Sequence, residues 1–267
     1  MKECEDSTMK GLYLIPDKSN IEQSLHLIEE HQGACEYNDF FLAQVLDDKK
    51  KQLEIIDAYA KVRSDFSQDT MHGAFLDVTV HSTDLRIREV SELRVRQSMD
   101  IAKEMGLRGV VFHTNRIYGF RDETYLKNWK ETNKAFFAKL CEEYPKQQIL
   151  MENMFDEAPD VLRGLAEEMT DYDNFGVCLD YAHGVVFGKR PEVWVKELAP
   201  YIKHIHINDN DLQNDMHEAV GAGQIDWKQF QQQINEYQIK ASVLVEVSGI
   251  EKQKKSLEFM KENKLWH

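Results

Sequence analysis

Glu36, His72, His113, Glu152, Asp180, His206 and Glu246 each lie in or at the end of a short run able to form a strand. Glu152 ends the apolar stretch of Ile149-Leu150-Met151-Glu152-Asn153, Asp180 follows Cys178-Leu179, and Glu246 follows Val243-Leu244-Val245. In Lys203-His204-Ile205-His206-Ile207-Asn208-Asp209 polar and apolar residues alternate with the period of a strand, so His204, His206 and Asn208 share one face. Neutral imidazole nitrogen and carboxylate oxygen are good ligands for first-row divalent ions. Taken singly, each of these residues reads as a solvated strand end or a surface histidine. Taken together, the carboxylates of Glu36, Glu152, Asp180 and Glu246 would repel one another at a common site unless protonated or bound to a cation. A divalent metal is the simplest chemistry that explains the set.

Strand-like and helix-like segments alternate along the chain, and they are what must bring these residues together. Strands are expected at Gly11–Ile15, Ala34–Tyr37, Thr70–Phe75, Gly109–His113, Gln148–Asn153, Phe175–Asp180, Lys203–Asn208 and Ala241–Val247. Asn20 with Gln23 resembles a helix start, helices are expected near Asp47–Arg63 and Leu85–Met105, and Pro159 and Pro191 open two more. Asp226 can cap a helix that carries Trp227, Phe230, Ile234 and Tyr237 at successive turns. Eight β-α units in 267 residues predict an α/β fold, a single (β/α)8 TIM barrel over residues 9–267, preceded by an N-terminal extension at 1–8. In such a barrel the active site forms at the C-terminal ends of the strands, where the acidic and imidazole set lies.

Apolar residues make up 42% of the chain, enough for a core, and no Pro/Gly-rich linker divides it. The formal charge of −14 argues against a general nucleic-acid or anionic-membrane surface, because both attract basic proteins. No apolar run approaches a membrane span and the N-terminus lacks the apolar region of a secretory signal, so a cytoplasmic protein is expected. Cys4, Cys35, Cys141 and Cys178 lack metal-knuckle or redox spacing and are expected to be reduced thiols.

The sequence resembles the xylose isomerase-like TIM-barrel superfamily, which contains sugar isomerases and epimerases as well as the apurinic-site endonuclease IV family. The resemblance runs from about Met9 onward. It is carried by Met71-His72-Gly73-Ala74-Phe75, Val111-Phe112-His113-Thr114-Asn115, Met151-Glu152-Asn153 and Leu179-Asp180-Tyr181-Ala182-His183. Further carriers are His204–Asp209, Asp215-Met216-His217, Gly221-Ala222-Gly223-Gln224-Ile225-Asp226-Trp227 and Val245-Glu246. By that resemblance Glu152, Asp180, His206 and Glu246 match the ligands of the single metal in the ketose epimerases, which here would be Mn2+, Mg2+, Co2+ or Zn2+. The endonuclease branch binds three zinc ions through those positions and five others, which match His72, His113, His183, Asp215 and His217.

The resemblance thus implies a metal-dependent isomerase or epimerase acting on a small ketose or related polyol ketone through an enediolate. Glu152 and Glu246 would be the acid–base pair, and His183 and His113 would hydrogen-bond substrate oxygens. Glu36, Arg116 and Trp227 are candidates for the pocket wall. The alternative is an endonuclease IV-like zinc phosphodiesterase acting at abasic sites in DNA, and a third reading is a non-catalytic sugar- or metal-binding barrel. The loop Asn38–Gln44 is not basic, and Asn208–Asn214 is almost wholly acidic or amide, a poor lining for phosphates. Phe75-Leu76 could intercalate between bases, but ordinary packing is the simpler role. The expected partner is therefore a small sugar, with neither nucleic acid nor membrane.

Overall fold

In the computed structural model, which describes residues 11–75, 77–188 and 190–266, every expected strand forms. The strands are β1 (Leu12–Leu14), β2 (Ala34–Tyr37), β3 (Thr70–His72), β4 (Gly109–His113), β5 (Gln148–Glu152), β6 (Phe175–Asp180), β7 (Ile202–Ile207) and β8 (Ser242–Val245). They pair in sequence order, all parallel, and β8 pairs with β1 (Tyr13 opposite Leu244) to close the barrel. The helices are α1 (Ile21–Glu30), α2 (Ala43–Leu46), α3 (Lys49–Ala60), α4 (Leu85–Met105), α5 (Glu123–Glu143), α6 (Asp160–Glu168), α7 (Tyr181–Val186), α8 (Pro191–Leu198), α9 (Trp227–Glu236) and α10 (Ile250–Glu262). This is the (β/α)8 TIM barrel expected from the alternation. The extension at 1–8, the domain start near Met9, Cys4 and Leu76 lie outside the described residues.

Local chemistry sets the helix starts. Asn20 accepts from the Gln23 backbone N–H and donates to the Gln23 side chain, a reciprocal cap on α1. Asp226 accepts from the backbone N–H groups of Lys228 and Gln229 at the head of α9, and Pro191 occupies the first turn of α8. Several boundaries shift by a residue, and three differ more. The helix expected over Asp47–Arg63 is preceded by the separate turn α2, and Asp48 caps α3. The third strand stops at His72: Gly73 makes one more bond, to the Val111 carbonyl, and the chain then leaves the sheet. The eighth strand stops at Val245, although the Glu246 N–H still reaches the Ile207 carbonyl at 2.8 Å.

Strand parity divides the side chains. Outward positions such as Tyr37, Phe112, Met151, Leu179 and Ile205 join the main core between barrel and helices, where Trp129 and Trp194 are also buried. Inward positions form two small apolar groups, Tyr13, Ile15, Ala34 and Leu244 on one side and Val111, Leu150 and Cys178 on the other. The remaining inward positions are polar and buried: Glu36, Thr70, His72, His113, Glu152, Asp180, His204, His206 and Glu246. A barrel interior is normally filled by branched apolar side chains. So many buried polar groups there are costly unless they are used. Among the described residues no helix is long and apolar enough to cross a membrane, and Cys35, Cys141 and Cys178 are buried free thiols.

One buried histidine outside the barrel makes stability depend on pH. His81 packs between Tyr125 and Trp129, and burial, aided by the charges of Arg116 and Arg88, pushes its pKa from 6.5 down to about 4. The unfolded chain therefore binds this proton more readily than the native one. The stability from keeping His81 neutral is complete above its unfolded value and is lost as pH falls toward and through about 4. An effect on the order of 2–3 kcal/mol is expected. Urea unfolding between pH 7 and 4 should show a shallower slope for His81→Gln than for the wild type; equal slopes would remove His81 as the cause.

Candidate functional site

The ends of β5, β6, β7 and β8 bring Glu152, Asp180, His206 and Glu246 to one place, with a donor atom of each within 4.8 Å of the others. All four are buried. His206 Nδ1 lies 3.5 Å from Glu152 Oε1 and 3.4 Å from Glu246 Oε2. Asp180 also caps α7, a helix absent from the sequence expectation: one carboxylate oxygen accepts from the His183 backbone N–H at 2.6 Å. That bond fixes the carboxylate and leaves Oδ2 free. Asn153 braces it further, donating to the Asp180 carbonyl and accepting from the Asp180 N–H.

Glu152 Oε1, Glu152 Oε2, Asp180 Oδ2, His206 Nδ1 and Glu246 Oε2 are all buried without a hydrogen-bond partner. Such orphaned acceptors are rare in native interiors, and each one costs free energy. Donors ligating an ion at about 2.0–2.2 Å stand about 3–4.5 Å apart, and His206 Nδ1 lies within that range of both Glu152 and Glu246. The set therefore fits a divalent cation, with three oxygens and one imidazole, and the residues that would hold it are these four.

Two further groups flank the quartet. His72 Nε2 lies 3.0 Å from His113 Nε2, and both face Glu152 Oε2, at 3.5 and 3.4 Å. His72 Nδ1 donates to the Gly73 carbonyl, which leaves Nε2 bare when the ring is neutral. On the other side, Asp215 Oδ2 is 3.3 Å from both His183 Nε2 and His217 Nε2. His183 Nδ1 donates to the Asn153 carbonyl and His217 Nδ1 to the Glu246 carbonyl, each at 2.9 Å. A backbone carbonyl on one ring nitrogen, freeing the other, is the usual support of a ligating histidine. His217 reaches this pose with φ +48°, a left-handed conformation that needs such a hold.

The charges are mutually adjusted. Burial pushes the Glu152 carboxyl up, but the surrounding imidazoles, His206 and His113 foremost, outweigh it and hold it well below the usual range. Asp180 is pushed up to about 8, by burial and by the Glu246 and Glu152 carboxylates, against the pull of His183. Burial opposes charge on His183 and His206, yet the acids around them raise both well above an ordinary imidazole. The repulsion expected among converging acids is thus met by protons, which a bound cation would displace.

The loop that carries Asp215 and His217 hangs on Asp209, which is buried. Its carboxylate accepts from the backbone N–H groups of Asn210, Gly221 and Ile225 and from the Trp227 indole. Its backbone exchanges both bonds with Glu218. Gly223 must be glycine, because a Cβ there would lie 2.3 Å from Asp209 Oδ1 and 2.4 Å from the Asn210 carbonyl oxygen. Asp209→Asn turns part of this acceptor into a donor and should cost about 2–4 kcal/mol. Hydrogen exchange over residues 210–225 should rise sharply in that variant; unchanged protection would show that the loop is held elsewhere.

The structure does not bring three of the sequence candidates to the mouth. Trp227 packs on Tyr181 and Phe230 and serves Asp209, because α9 places it behind the loop. Arg116 turns away to a buried pair with Asp156 at 2.8 Å. Glu36 is completely buried beneath His206 and lines no wall. Phe75 packs on His72 and His113, with ring centroids at 4.9 Å to each. Sequence reasoning missed Cys178 and Asn153 as neighbours of the quartet. Cys178 groups with Glu152 and His206, a position that its even spacing from Asp180 on one strand could have disclosed.

The profile of the xylose isomerase-like TIM-barrel family matches residues 36–263. An uncharacterized protein of Methanocaldococcus jannaschii is 26% identical over 244 residues, covering 90% of each chain. Among solved structures, a Thermus thermophilus protein soaked with ZnCl2 superposes with a TM-score of 0.74 at 22% identity, covering 94% of this chain and 97% of that one. A D-tagatose 3-epimerase-like protein gives 0.71 at 21% identity, covering 94% and 96%.

Proposed function

Because the chain belongs to the xylose isomerase-like TIM-barrel family, we propose that it is a divalent-metal-dependent isomerase or epimerase of a small ketose or related polyol ketone. The observation that carries this reading is the buried quartet, in which Glu152 and Glu246 both turn unpartnered oxygens toward His206 Nδ1. A cation held there, Mn2+, Mg2+, Co2+ or Zn2+, supplies Lewis-acid polarisation of a carbonyl and its neighbouring hydroxyl. Asp180 and His206 hold their donor atoms fixed through the α7 cap and strand pairing. Glu152 and Glu246 come from separate strands and can meet opposite faces of a carbon next to that carbonyl. One takes the proton and the other returns it, through an enediolate. His113 and His183 offer ring nitrogens to substrate oxygens. The likeness to a D-tagatose 3-epimerase-like protein agrees with this chemistry but bears on the fold alone.

A second reading has one specific observation in its favour. His72 with His113, and His183 with Asp215 and His217, extend the quartet into three adjoining donor groups, enough for three zinc ions and an endonuclease IV-like phosphodiesterase. The charge of −14 and the acidic loop after β7 weigh against a DNA substrate. Deuterium oxide separates the two. Turnover of ketoses, inososes and ketose phosphates should place deuterium at the reacting carbon, provided the catalytic acid exchanges with solvent. Chelator-sensitive, zinc-rescued incision of an abasic oligonucleotide, with no ketose turned over, would overturn the isomerase reading.

A further inference from the structure

We infer that Glu36 is a positioning residue that fixes how His206 presents its lone pair to the cation, an inference that rests on the metal reading above. Glu36 lies on β2, across the barrel from the quartet's carboxylates and one level deeper, opposite Thr70 in the sheet. Its Oε1 is 3.1 Å from His206 Nε2, and neither atom has another hydrogen-bond partner. The ring N–H is not yet aligned on the oxygen, so the pair is a charge contact within hydrogen-bonding reach. In a dry interior, two such atoms satisfy one another or go unsatisfied.

The second oxygen of Glu36 is held from two sides. Thr70 Oγ1 donates to it at 2.7 Å, and His204 Nε2 lies 3.3 Å away. Ser242 Oγ sits 2.6 Å from His204 Nδ1 and a longer 3.4 Å from the Lys203 carbonyl; when its proton goes to the nearer ring nitrogen, the His204 proton is on Nε2, facing Glu36. A carboxylate only accepts. It therefore keeps the His206 proton on Nε2, so that a cation displacing the other proton meets Nδ1 beside Glu152 and Glu246. A neutral amide at position 36 would not enforce this, because its NH2 group suits the opposite tautomer equally well. A buried carboxylate is also expensive to desolvate. Its negative charge is best used near a cation, which it reaches through the imidazole. Glu36 thus touches neither substrate nor ion and acts through His206.

The test is metal affinity, with Zn2+ and Co2+ alone as probes and a chelating indicator as competitor. Glu36→Gln should bind about 10- to 100-fold more weakly than wild type. The apo variant leaves buried His206 without its carboxylate partner and should unfold at a lower temperature, so affinity is the deciding readout. A merely structural role would lower apo stability with affinity unchanged. In zinc-loaded, 15N-labelled wild type, the His206 ring should carry its proton on Nε2. Affinity within about twofold of wild type in Glu36→Gln, or a proton on Nδ1, overturns the assignment while leaving the metal site intact. Should Glu36→Gln not fold, Thr70→Val decides: it keeps the carboxylate, drops one donor, and must still weaken binding. If wild type binds no ion that His206→Ala abolishes, the metal reading itself fails and this inference falls with it.

Discussion

Glu152→Gln and Glu246→Gln are each expected to lose turnover of the cognate ketose by about 10²- to 10⁴-fold, the usual contribution of a positioned acid or base. Each variant keeps one oxygen ligand, so the cation can remain bound at reduced affinity. A neutral amide can neither accept the proton nor return it. Glu152 should be the more sensitive position for metal as well. Its Oε1 faces His206 and His183 while Oε2 faces His72 and His113, so an amide nitrogen must meet one imidazole pair or the other. Glu246 makes its close contact through one oxygen, Oε2, to His206, and Gln can retain it. The double variant should be little worse than either single one, because both groups serve one proton-transfer sequence. NMR for product and for deuterium uptake reads this directly. Near-wild-type turnover in either variant with metal bound would exclude the two-glutamate mechanism, whatever became of the isomerase label.

The second large effect concerns the ion. His206→Ala removes the one imidazole of the quartet and should abolish high-affinity binding, whereas His217→Ala, on the flanking loop, should leave one tightly held ion in place. Elemental analysis after exhaustive dialysis counts the ions, and thermal unfolding with and without chelator reports what they contribute. An ion at 100 times its dissociation constant adds about 2.7 kcal/mol to stability. Three retained zinc ions, one of them lost with His217, would move the assignment to the phosphodiesterase.

Strand parity explains why so much of this site was readable in advance. With a period of two, the inward positions follow from any one of them, and Glu152, Asp180, His206 and Glu246 all fell on the correct face. Asn20, Asp226 and Pro191 announced their helices because caps are local chemistry. Depth was not readable. Glu36 ends its run just as Glu152 does, yet the stagger of a tilted barrel sets Glu36 opposite Thr70, two residues short of His72. Nor were the directions of Arg116 and Trp227 readable, since their partners Asp156 and Asp209 lie in loops joined to them only by tertiary contact. Asp180 hid a double role because a six-residue helix leaves little periodic trace.

Closure of the barrel by β8 against β1 also decides when the site can come into being. Glu246 follows the last strand and His206 lies within the one before it, while Glu36 waits on the second. A growing or partly refolded chain that lacks β8 therefore owns only fragments of the donor set. Unlike a zinc finger, whose neighbouring ligands let the metal nucleate the structure, this arrangement gives an ion nothing to organise until the long-range pairings are made. On the proposed reading, binding of an ion would be a latch that drops once the ring is complete. Its arrival during refolding would mark the last step, and its escape the first sign of reopening.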